Sequence, residues 1–203
     1  MKPLILAVFT GATLLSIPVS AQKKIEQPNF QSTLDSIYRV EAQVYQRWAS
    51  AQGDSARTIA ERACASTIER DQYRIRDLTA RYGFPTYTMV GQTTSQRFGE
   101  LVLRYNRLPE LQQRLQRLMA KEIKKDNVDD MMFAILTDVI ELGAGRPQVY
   151  GTQLAYQGDN AGLVAREPLL EPAKVNIRRA TLGLAPLEGF LDDQKAKHKP
   201  TTK

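Results

Sequence analysis

Between residues 30 and 142, apolar side chains recur three and four positions apart, and glycines and prolines cut the pattern into helix-sized segments. This constrains the fold more than any other feature, because a half-buried strand would need alternation with a period of two. Leu34, Ile37, Val44 and Trp48 mark a first helix, opened by a capping box at Ser32 to Asp35 and ended by Gly53. Asp54 caps a second helix, which runs to Tyr82 and closes at Gly83. Residues 84–91 read as a loop, and residues 94–106 as a third helix carrying Phe98, Leu101, Val102 and Tyr105. Pro109 occupies the first turn of a fourth, with Leu111, Leu115 and Leu118 as its stripe. Asp126 or Asn127 caps a fifth, with Met132, Ile135, Leu136 and Val139 inward, until Gly143 and Gly145 stop it.

After Gly145 the pattern changes. Residues 148–156 and 163–166 flank Gly158-Asp159-Asn160-Ala161-Gly162, which predicts a β-hairpin. A last helix follows Pro172, with Val175, Ile177 and Leu182 as its apolar positions, and ends at Gly183. Residues 186–191 add a turn or short helix. The expected fold is mainly α: a compact helical bundle with a small C-terminal β-hairpin.

Residues 1–21 read as a signal peptide. Lys2 precedes an apolar run from Leu4 to Ile17, Pro18 breaks it, and Val19-Ser20-Ala21 offers small residues for cleavage before Gln22. A retained anchor is the competing reading, but the run is short for a membrane span. The expected plan is signal peptide 1–21, leader 22–29, one helical domain 30–191 and a Lys-rich disordered tail 192–203. The expected location is periplasmic or secreted, with no transmembrane segment after cleavage. Cys64 is the single cysteine, so an internal disulfide is excluded and stability rests on packing. The net charge of +6 would suit an anionic partner, but its distribution argues otherwise. Residues 22–194 carry 23 basic and 22 acidic residues, and the excess lies in Lys195, Lys197, Lys199 and Lys203. We therefore expect no nucleic-acid partner.

The chemistry-bearing inventory excludes more than it supports. His198 is the sole histidine and lies in the tail, so Ser-His-Asp, Cys-His and zinc sites lack their residues. Asp126, Asp129 and Asp130 lack EF-hand spacing and suit a helix start. No metal and no cofactor are expected. The densest polar segment is Gly145-Arg146-Pro147-Gln148-Val149-Tyr150-Gly151-Thr152-Gln153. As a strand it would place Gln148, Tyr150 and Thr152 on one face, as a pocket floor or as a hairpin tied to a helix end. Asp71 and Arg74 can pair on one helix face.

This segment, with Glu69-Arg70-Asp71-Gln72-Tyr73-Arg74, Tyr82-Gly83-Phe84-Pro85, Leu136-Thr137-Asp138, Arg178-Arg179 and Gly183-Leu184-Ala185-Pro186-Leu187, resembles a bacterial domain family of unknown function. The family is common in exported proteins of Bacteroidetes-like bacteria. The resemblance spans residues 68–190 and implies a fold and candidate residues without a mechanism. Where the family shows a Gln-His-x-Asp-like pattern, this chain has Arg104-Tyr105-Asn106-Arg107. Val139 replaces an expected arginine and Asn176 an expected aspartate. The candidate ligand-binding residues are Asp71, Gln72, Arg74, Tyr105, Gln148, Tyr150, Thr152, Gln153 and Arg178. They imply a module for an unidentified ligand or partner protein. The alternative is a hydrolase using Asp71 and Asp138 as acid and base.

Overall fold

The computed structural model describes residues 25–105, 107–156 and 162–197. Residues 1–24, which include the expected signal peptide, residues 157–161 at the expected hairpin turn, and residues 198–203 with His198 lie outside the described residues. Eight α-helices and one two-stranded antiparallel sheet make up the described fold. The expected mainly α class holds.

Helix α1, Pro28–Ser50, starts four residues before the expected capping box, because Pro28 stands at its first turn, where a missing N–H costs nothing. Ser32 lies inside the helix, and its hydroxyl donates to the Asn29 carbonyl. Helix α2, Asp54–Tyr82, returns along α1 after a three-residue link. Gly53 holds the N-cap position expected for Asp54, and Gly83 ends the helix as expected. Phe30, Leu34 and Ile37 of α1 and Ile75 of α2 enter the core. Val44 and Trp48 do not, although their spacing placed them there; they stay half-buried. No residue between 42 and 63 is buried, so this part of the hairpin extends past the elements that would cover its other faces.

The expected loop at 84–91 contains a one-turn helix α3, Tyr87–Val90, which leads into α4, Gln92–Leu103. Asn127 serves α3, accepting from the Thr88 N–H at 3.0 Å, while Asp129 caps the next long helix through the Met132 N–H at 2.8 Å. Helices α5, Pro109–Ala120, and α6, Asp130–Gly143, close the bundle. Phe30 stacks on Tyr82 at 4.6 Å, and Phe84 meets Phe98 edge-on at 5.4 Å. At Gly99 α4 approaches α6 so closely that a Cβ there would lie 2.5 Å from Met132 Cγ.

The predicted hairpin survives as β1, Leu154–Tyr156, against β2, Leu163–Ala165, with Leu154 opposite Ala165. Residues 148–153 are not strand. They form an irregular loop bound to α6, joined to the chain beyond β2 by a single bridge from Gln148 to Leu169. Helix α7, Val175–Ala180, and α8, Leu187–Lys197, pack over the sheet through Val175, Leu187 and Phe190. Ile177 is exposed rather than inward. Helix α8 continues to Lys197, so residues 192–197 are helical where a disordered tail was expected.

Candidate functional site

The candidate residues divide between two buried polar centres. The first is built on Asp138 of α6, fully buried inside the loop of residues 148–153. Its Oδ1 accepts from the Val149 N–H at 2.6 Å and the Tyr150 N–H at 2.9 Å. Its Oδ2 accepts from the Thr152 N–H and the Thr152 hydroxyl, both at 2.8 Å. One carboxylate thus does for this loop what a sheet ladder would do, which is why the loop need not be a strand. Burial pushes the Asp138 carboxyl above its ordinary range, and the four hydrogen bonds oppose that shift. Gln148 closes the loop on itself: its Oε1 accepts from the Gln153 N–H at 3.0 Å, and its Nε2 donates to the Gln153 and Arg166 carbonyls. Arg178 donates to the carbonyls of Val149 and Leu170. Arg179, fully buried, donates to Tyr150 O at 2.8 Å and Ala185 O at 2.6 Å and lies over the Phe190 ring. Gly151 has φ +71°, and a Cβ there would meet Leu187 at 3.0 Å, so this position needs glycine for both its backbone and its space.

The second centre lies between α1, α2 and the end of α4. Glu41 is 1% exposed. Its Oε1 accepts from the Tyr105 hydroxyl at 2.8 Å, and its Oε2 lies 3.4 Å from Arg104 NH1. Asp71, also buried, receives a two-pronged contact from its neighbour Arg70, at 2.9 and 3.0 Å. Burial pushes the Glu41 carboxyl upward; the Tyr105 hydroxyl and Arg104 oppose this, and the Asp71 charge reinforces it. Tyr105 is held far above the ordinary phenol range by burial and by the Glu41 carboxylate. Gln72 is buried, and neither its Oε1 nor its Nε2 has a partner among the described residues. Cys64 lies at the margin of this centre, its thiol pushed up by burial, which makes it a poor nucleophile.

Several expectations are corrected here. Asp71 pairs with Arg70, not Arg74, which is exposed. Gln148, Tyr150, Thr152, Gln153 and Arg178 gather around Asp138, but Asp71, Gln72 and Tyr105 belong to the other centre, so the nine residues form no single face. Asp71 and Asp138 are likewise split between the centres and do not make an acid–base pair. The sequence reading missed Glu41, although it continues the stripe Leu34, Ile37, and an acid on an apolar stripe is a signal. It also missed Arg179, which adjoins a named candidate. Arg104 and Tyr105, which stand where the resemblance led us to expect a histidine and an acid, are the groups that satisfy Glu41.

A third feature is open to solvent. Gln113, Gln116 and Arg117 of α5 face Thr137, Ile140 and Glu141 of α6 across a groove of about 380 Å³, with Arg146 at one end. Arg146 and Glu141 form a two-pronged ion pair at 2.5 and 2.9 Å. No group of three or more potential metal ligands occurs among the described residues, and none of their helices is long and apolar enough to cross a membrane.

These features define a helical protein organised around two buried carboxylate centres. The chain belongs to a family of unknown function, DUF6624, whose model matches residues 28–197. Nothing among the curated proteins or the solved structures matches it.

Proposed function

We propose that the protein is a non-catalytic binding module that works outside the cytoplasm of a bacterium. One observation carries this reading: the three buried carboxylates already have their partners within the chain. Asp138 is taken up by four donors of one loop, Glu41 by Tyr105 and Arg104, and Asp71 by Arg70. A general acid or base must reach a substrate proton, and these groups face their own chain. The segment Gly145 to Gln153 then acts as a family signature because its backbone must wrap Asp138, with glycine at residue 151.

The reading is tested with the purified mature protein and chromogenic ester, phosphate and glycoside substrates. The expected result is turnover no faster than in buffer. Turnover that Glu41→Gln abolishes while the variant stays folded would reject the reading in favour of carboxylate hydrolysis. One observation favours that second reading: the raised Glu41 carboxyl interacts with Asp71, the kind of acid pair that the sequence sought in Asp71 and Asp138. Export is tested by intact mass, with a mature chain beginning at Gln22 expected.

A further inference from the structure

Most polar groups in the groove between α5 and α6 are accounted for, and two are not. Gln113, Gln116 and Arg117 share one face of α5 at spacings of three and four, and Thr137, Ile140 and Glu141 do the same on α6. Arg146 and Glu141 neutralise each other. Gln116 donates to the Thr137 hydroxyl at 3.3 Å, and that hydroxyl donates to the Phe133 carbonyl. Arg117 and the Gln113 side chain take no hydrogen-bond or ion-pair partner among the described residues. The groove therefore presents one uncompensated positive charge, a free planar fork of N–H donors and free amide groups. Ile140 is its one apolar wall.

From this geometry we infer that the groove binds a small carboxylate that also carries hydroxyl or amide groups. The proposal rests on the binding-module reading and supplies its ligand class. A carboxylate matches the guanidinium fork with two parallel hydrogen bonds, and its single charge equals the one charge left free. A phosphate dianion would find half of its charge unmatched. An apolar or aromatic ligand would find one isoleucine and strip water from amides that it could not replace. The Gln113 amide stands ready for the ligand's neutral polar groups, and a volume of about 380 Å³ admits a molecule of amino-acid or monosaccharide size.

The test is a two-dimensional amide NMR titration of the full mature chain with N-acetylglycine, glucuronate and inorganic phosphate. N-acetylglycine stands for a peptide terminus and glucuronate for a sugar acid. Saturable shifts are expected at Gln113, Gln116, Arg117 and Thr137 with at least one carboxylate, and weaker ones with phosphate. Arg117→Gln is expected to weaken that binding about fivefold or more, and raised salt should weaken it too, since Arg117 is exposed. Arg117 is a solvent-facing helix residue, so the variant should fold, and its undisturbed amide spectrum checks this. Groove shifts with phosphate alone would overturn the carboxylate assignment. Unchanged affinity in Arg117→Gln, or no groove shifts with any probe, would overturn the site. Shifts that map to another surface would remove the groove and leave the binding module standing. Turnover lost in Glu41→Gln would remove the module and leave the groove's occupancy to be judged on its own shifts.

Discussion

Asp71 and Asp138 are both fully buried aspartates, yet their replacement should have consequences of very different size. Asp138→Ala removes the acceptor for three backbone N–H groups and one hydroxyl in the loop it holds. Each buried donor left unpaired costs about 1–3 kcal/mol. Loop relaxation and entering water relieve part of that, so the net loss should be about 3–5 kcal/mol, the range for removing one partner of a buried charged contact. Asp71→Asn strands nothing buried. Its partner Arg70 has a side chain 62% exposed, which water solvates at once, and the change also removes a negative charge beside Glu41. Its effect should stay within about 1 kcal/mol. Urea melts followed by far-ultraviolet circular dichroism measure both. With an m-value of about 2 kcal/mol per molar, Asp138→Ala should lower the midpoint by about 2 M and Asp71→Asn by less than about 0.5 M. If the two variants melt together, or if Asp138→Ala melts within about 0.5 M of the wild type, the argument from partner burial is refuted.

Three further outcomes follow from particular contacts. The Glu41 carboxyl is raised above its ordinary 4.5, so the folded state holds its proton more tightly than the unfolded state; this contribution is fully present below 4.5 and is lost as pH rises through the raised value. Glu41→Gln should therefore flatten the fall in urea midpoint from pH 4 to pH 7, and a profile parallel to the wild type would refute the assignment. Gly99→Ala puts a Cβ 2.5 Å from Met132 Cγ and should cost about 1–3 kcal/mol, with part recovered in the double variant with Met132→Ala; strict additivity would show that the helices do not touch there. Tyr150→Phe should change stability by less than about 0.5 kcal/mol, because the ring packs on Phe133 while its hydroxyl takes no hydrogen bond among the described residues; a larger loss in the same melts would reveal a partner for it.

The helical class, the turn at residue 53, the stops at Gly83 and Gly143 and the Pro109 start were all legible in the sequence. Each depends on local matters: periodicity, a missing N–H, or a backbone angle open to glycine. The start of α1 was misread because Pro28 opens it with no side-chain cap, and that of α6 because several residues there could cap and tertiary partners selected among them. Asn127 was drawn away to α3, which left Asp129 to cap α6. The candidate site was legible as a set of residues but not as an arrangement. Gln148, Tyr150, Thr152 and Gln153 stood out by composition, yet their alternation suggested a strand, because sequence carries no sign that the Asp138 carboxylate would take the N–H groups of Val149, Tyr150 and Thr152. Glu41 and Tyr105 meet across 64 positions, and no local pattern records a pairing made by helix packing. Local propensity determined which segments are helical; burial decided which polar groups had to find one another, because a donor or acceptor removed from water must be satisfied by whatever the fold brings to it.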